Sequence, residues 1–153
     1  MKRFYGTGVA LITPFDIKGE VDFIALEKLV NFQISNGINY LVVLGTTVET
    51  PTLSGNEQQE IVDFIVKVNN KRLPIVLGVG GNNTADVAKS IQKVNTNDID
   101  AILSVSPYYN KPGQEGIYQH FKAIAEESPL PIILYNVPSR TGSNMAPETV
   151  TRL

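Results

Sequence analysis

Cysteine is absent from the 153 residues, which excludes disulfides, thiol nucleophiles and thiolate metal sites within them. Histidine occurs once, as His120, with no companion at metal-ligand spacing, so no metal is expected. Apolar runs stop at five or six residues, too short to cross a bilayer, and the opening MKRFYGTG lacks the apolar core of a secretory signal. Basic residues are scattered and the formal charge is -2; neither nucleic acid nor a membrane is an expected partner. A reducing, cytoplasmic setting is compatible with all of this and is the expected location. The glycine-rich stretch GVGGNNT, residues 78 to 84, fits neither the dinucleotide fingerprint nor the phosphate loop with its lysine, and no cofactor is expected.

What is present reads as one ordinary globular domain, 42% hydrophobic and 18% charged. Five short apolar runs, beginning near residues 8, 40, 73, 100 and 130, are near-continuous rather than alternating, as strands of a parallel sheet covered on both faces require. Between them the apolar residues recur at helical spacing. Residues 22 to 35 carry Leu26, Leu29, Val30 and Ile34, and residues 57 to 69 carry Ile61, Phe64, Ile65 and Val68. Residues 84 to 95 carry Val87, Ile91 and Val94, and residues 114 to 127 carry Ile117, Phe121, Ile124 and Ala125. A last helix begins near Ala146 or Pro147. Asn82-Asn83-Thr84 matches a glycosylation acceptor, but its place before a helix makes it a turn and cap.

A βα repeat of about 30 residues suits either an open doubly wound sheet or the first five units of an eightfold barrel. Length favours the first, since a barrel takes about 250 residues. The strand ends favour the second. All five carry polar or conformationally special residues: Thr13-Pro14, Gly45-Thr46-Thr47, Gly78 to Asn82, Pro107-Tyr108-Tyr109 and Tyr135-Asn136. Five equipped ends surround a common centre only if the sheet curls. The expected fold class is α/β, the N-terminal part of a (β/α)8 barrel, with residues 1–153 a partial domain that stops before the remaining units.

Several of these residues suit chemistry on a polar reactant. Tyr135, near a strand end and expected on one side of the strand with Ile133 and Val137, is placed to exchange a proton; Thr46 and Thr47 can relay a proton or hold an oxygen. Arg140, in the loop NVPSRTG that Pro138 and Gly142 limit, offers a fork of donors to a carboxylate, and Tyr108 and Tyr109 stand in the rigid loop SPYYNKPG. Each has a plainer use as well: a packing tyrosine, a strand-ending threonine, a surface arginine. His120 is read as a helix-surface or groove residue. No pair of carboxylates is placed for glycoside hydrolysis. A nucleophile is missing too, because none of the nine lysines falls inside an expected strand, and a lysine attacks a carbonyl only when its environment lowers its affinity for the proton.

Together GTTVE at 45 to 49, PYYNKPGQEGIYQHFKAIA at 107 to 125 and LYNVPSRTG at 134 to 142 resemble the 4-hydroxy-tetrahydrodipicolinate synthase family of pyruvate-dependent class I aldolases, to which N-acetylneuraminate lyase is related. GTGVALITPF and GVGGNNT are similar as well, so the likeness runs along the chain. The resemblance implies a barrel whose sixth strand carries a lysine that forms a Schiff base with pyruvate, beyond Leu153. It implies a proton relay of Thr46, Tyr109 and Tyr135, with Tyr109 reaching across a dimer interface and Tyr108 lying toward it. Thr47 would hold the pyruvate carboxylate and Arg140 the carboxylate of aspartate semialdehyde. Asn82, Asp86 and Tyr108 match a lysine-effector site of some members, although Gly55 and Gln58 stand where inhibited members can carry histidines.

The implied substrates are pyruvate and aspartate semialdehyde. The full-length assembly would be a dimer or a dimer of dimers. Other pyruvate-dependent aldolases, such as N-acetylneuraminate or 2-keto-3-deoxy sugar acid lyases, are the alternative, and for residues 1–153 alone a non-catalytic fragment. Val48 departs from the family's usual glycine, and a branched side chain there demands ordinary backbone angles.

Overall fold

The computed structural model describes residues 2–153, in two compact units. The first comprises the chain up to Gly78 together with Asp98–Asp100; the second is Val79–Asn97 with Ala101–Leu153.

In the first unit, β1 (Gly8–Ala10), β2 (Tyr40–Val43) and β3 (Ile75–Gly78) pair in parallel, Val9 opposite Leu41 and Val42 opposite Val76. Leu41, Val43, Ile75 and Val76 are buried, which explains the unbroken apolar runs. Helix α1 (Phe23–Ser35) starts where Asp22 Oδ1 accepts from the Ala25 amide at 2.9 Å. Helix α2 (Gly55–Asn69) starts on a capping box, the Glu57 amide donating to Ser54 Oγ at 3.2 Å and the Ser54 amide to Glu57 Oε2 at 2.7 Å. Leu26 and Val30 of α1 and Ile61 and Ile65 of α2 are buried, each contributing about 1.5–3 kcal/mol. The Phe23 and Phe64 rings meet at 4.9 Å. Asp100 is held by the backbone of Ile75, donating its amide to the Ile75 carbonyl and accepting the Ile75 amide on Oδ2, both at 2.8 Å, while Arg3 pairs with Oδ1.

In the second unit, β4 (Ala101–Val105) and β5 (Ile132–Tyr135) pair in parallel, Ile102 opposite Ile132 and Val105 opposite Tyr135. Helix α3 (Thr84–Gln92) is capped by Asn83, whose side chain accepts from the Ala85 amide at 3.2 Å; the glycosylation-like triplet is thus a turn and cap. Helix α4 (Gln114–Glu126) buries Ile117, Phe121 and Ile124. Two shorter helices follow, α5 (Pro138–Thr141) and α6 (Pro147–Arg152). Gln114 joins α4 to α6: its Nε2 donates to the Asn144 carbonyl at 2.7 Å, and its Oε1 accepts from the Ala146 amide at 2.9 Å and the Thr149 hydroxyl at 2.6 Å.

Within each unit the strands pair in chain order, β1-β2-β3 in the first and β4-β5 in the second. Five strands alternating with helices along the chain are the element order of the first five units of a (β/α)8 barrel, as expected.

Five local expectations need correction. His120 is 3% exposed, not a surface residue, because its ring meets α3 through Thr84. The segment Pro138–Thr141 is a helical turn rather than a loop; Pro138 opens it and Gly142, at φ 69°, closes it. Ala125 is exposed, beside an apolar groove that Leu130, Ile132 and Val150 also line. Strand β5 is half-buried throughout and ends at Tyr135, so Val137 shares no strand face with it, and Val94 lies past the end of α3.

Candidate active site

The threonine pair lies in the first unit. After Val43 the chain turns at Leu44, whose φ is 54°, and enters a 3-10 turn at Thr46–Val48 that leaves again through Glu49 at φ 60°. Thr46 and Thr47 are exposed, whereas Val48 is buried and takes ordinary backbone angles. The branched side chain therefore packs inward, and the left-handed positions fall on its neighbours. The Val48 carbonyl accepts from the buried hydroxyl of Thr13 at 3.1 Å, tying the threonine turn to the end of the first apolar run. Close approach fixes Gly78: a Cβ there would lie 2.1 Å from the Leu44 carbonyl oxygen. Gln58 donates to the carbonyls of Thr50 and Leu53 at 3.2 and 3.1 Å, a structural use for that position.

The second unit gathers the remaining candidates on three connected segments. Tyr135 ends β5, half-buried, and its carbonyl accepts from the Ser106 amide at 3.3 Å. Beside it, Asn136 donates to Asn144 Oδ1 at 2.7 Å and accepts from the Met145 amide at 3.1 Å, which holds the chain leaving Tyr135. Arg140 lies in α5 with its side chain exposed. Tyr108 and Tyr109 occupy the loop after β4, Tyr109 being 88% exposed with φ 70°. Lys111 from this loop crosses Gly142, where a Cβ would lie 2.7 Å from the lysine Cε, so the tyrosine loop and the arginine turn meet. Asn82 is joined to the tyrosine loop through its carbonyl, which accepts from Asn110 Nδ2 at 3.1 Å. Asp86, in the first turn of α3, accepts from Asn83 Nδ2 at 2.6 Å.

Sequence reasoning missed three features of this unit. Asn110 and Gln114 act as connectors, and amides with such contacts carry no distinctive pattern in a single chain. Ser104 and Ser106 are fully buried with hydroxyls that have no partner among the described residues. His120 Nδ1 shares a hydrogen bond with Thr84 at 2.8 Å while Nε2 is buried unpartnered among the described residues; burial lowers its pKa from the ordinary 6.5.

All nine lysines are exposed, so none has the desolvation that a Schiff-base nucleophile requires. Among the described residues no group of three or more His, Cys, Asp or Glu side chains is placed to hold a metal, and no helix is long and apolar enough to cross a membrane.

Residues 3–153 match the dihydrodipicolinate synthetase family along essentially their whole length. The chain belongs to that family. A 4-hydroxy-tetrahydrodipicolinate synthase of Flavobacterium psychrophilum is 59% identical over 153 residues, all of this chain but 52% of the relative. Among solved structures, a chloride-inhibited dihydrodipicolinate synthase of Acinetobacter baumannii complexed with pyruvate superposes with a TM-score of 0.92 at 48% identity, over 97% of this chain and 51% of that one. The enzyme of Cyanidioschyzon merolae with lysine bound gives 0.89 at 38% identity, over 97% and 51%. The chain thus spans about half the length of these dihydrodipicolinate synthetase family members, and its five βα units correspond to half of their fold.

Proposed function

We propose that residues 1–153 are the first five βα units of a 4-hydroxy-tetrahydrodipicolinate synthase, a partial barrel domain whose whole protein condenses pyruvate with L-aspartate 4-semialdehyde in lysine biosynthesis. The observation that carries this reading is the family match over residues 3–153, joined to relatives of that name at 65%, 59% and 51% identity.

In this reading a lysine outside residues 1–153 attacks the pyruvate carbonyl and loses water to form an imine. The exposure of all nine lysines present supports that assignment. Loss of a methyl proton gives an enamine, which adds to the semialdehyde carbonyl, and transimination closes the ring. Thr46, Tyr109 and Tyr135 carry protons between these steps; a hydroxyl that is donor and acceptor at once can take a proton from one side and give one to the other. Thr47 holds the pyruvate carboxylate. Arg140, exposed on its helical turn, receives the semialdehyde carboxylate through a bidentate pair.

The pyruvate complex of the Acinetobacter relative supports the substrate, and the lysine-bound Cyanidioschyzon relative supports an effector site at Asn82, Asp86 and Tyr108. The whole protein acts in the cytoplasm as a dimer or a dimer of dimers, with Tyr109 contributed across the interface. Residues 1–153 by themselves are inactive. Incubation with pyruvate and borohydride followed by mass measurement tests the reading. A reduced pyruvyl adduct is expected on the full-length gene product and none on residues 1–153; an adduct on the short chain would move the nucleophile into it.

A further inference from the structure

We propose that Asn110 is a positioning residue for Tyr109, holding it in a strained turn by a hydrogen bond to the carbonyl of Asn82. The inference rests on the reading of Tyr109 as a proton carrier and adds the group that aims it.

Tyr109 has φ 70°, and Lys111, two residues on, has φ 44°. The left-handed region is unfavourable for a residue with a Cβ, so something must hold the turn. Packing within the chain does not, since Tyr109 is 88% exposed there. Asn110, between the two, supplies two bonds. Its amide donates to the Tyr108 carbonyl at 2.8 Å, which with the positive φ at Tyr109 forms a γ-turn of the rare, strained hand. Its side-chain Nδ2 donates to the Asn82 carbonyl at 3.1 Å, anchoring the turn to the segment just before the capping residue Asn83 of α3. Strained backbone persists only where its surroundings over-determine it. The chemistry of the anchor is specific: an amide nitrogen donates to a carbonyl, whereas a carboxylate of the same shape only accepts.

The test uses the full-length gene product with Asn110→Asp, Asn110→Ala, Tyr109→Phe and the double variants. Each single Asn110 variant is expected to lower kcat about tenfold or more, with the KM for pyruvate within twofold of the parent and an unchanged melting temperature. In the Tyr109→Phe background neither should lower kcat further, because residues acting through one group are non-additive. Parental kcat in both Asn110 variants, or a loss that multiplies in full on Tyr109→Phe, overturns the inference while leaving an impaired Tyr109→Phe to support the proton carrier. A fall in melting temperature that accounts for the lost activity in both variants also overturns it. Parental turnover in Tyr109→Phe overturns the proton-carrier reading and this inference with it.

Discussion

The hydroxyl of Thr84 lies 2.8 Å from Nδ1 of His120, joining the first turn of α3 to the middle of α4, while Nε2 of the same ring is buried with no partner among the described residues. The ring has one good bond as a neutral imidazole and an unsolvated second nitrogen, so the charged form is disfavoured in the fold.

Stability should therefore fall with acid in a definite window. Burial holds the folded pKa of His120 below the ordinary 6.5, so on acidification the unfolded chain takes up the proton first. The contribution is fully present above the unfolded value, declines as pH falls through it toward the lowered folded value, and levels off below that. Urea midpoints between about pH 7.5 and pH 5.5 should drop for the parent and drop less for His120→Gln. Equal slopes for the two proteins would show that the ring does not carry this pH dependence.

Gly78 offers a test of the first unit. A Cβ there would stand 2.1 Å from the Leu44 carbonyl oxygen, part of the backbone, whereas one at Gly55 meets nothing within 4 Å. Gly78→Ala should destabilise by about 1–3 kcal/mol through overpacking. Gly55→Ala, in the first turn of α2, should be neutral or stabilising by up to about 1 kcal/mol. Denaturant midpoints of the two variants rank them directly.

Arg140 has a catalytic test in the full-length gene product. Arg140→Ala should raise the KM for aspartate semialdehyde about tenfold or more and leave that for pyruvate within twofold, with Arg140→Lys between, since a lysine keeps the charge but loses the two-pronged geometry. Equal shifts for both substrates would assign Arg140 to general architecture instead.

The unbroken apolar runs and the helical spacing of Leu26, Ile61, Val87 and Ile117 made the βα alternation legible, because burial on both sheet faces and one helix face leaves a direct trace in residue type. Barrel winding was inferred from the furnished strand ends and is borne out by the likeness to solved dihydrodipicolinate synthases. His120 was misread because a polar residue on an amphipathic helix looks solvated until a partner such as Thr84, 36 positions away, is brought against it. The helical turn at Pro138–Thr141 was read as a loop since four residues carry no periodicity. Tyr109 could be named from its motif, but its positive φ and the Asn110 bond that spans 28 positions depend on how two loops meet, and local sequence does not encode that.

Burial alone is a poor guide to which polar residue matters, and the second unit supplies a contrast that shows it. Ser104 on β4 is fully buried, yet its hydroxyl has no partner among the described residues; removing an unsatisfied buried group relieves its desolvation, so Ser104→Ala should be neutral or stabilising by up to about 1 kcal/mol. Gln114 is exposed, yet its amide serves three partners, one of them the buried Thr149. Gln114→Ala leaves that hydroxyl without its bond, should cost about 1–3 kcal/mol, and should loosen α6, seen as faster amide exchange over residues 147–152. A ranking by burial expects the serine to be the more damaging of the two, so denaturant melts of both variants in the same protein decide between burial and satisfaction as the controlling quantity.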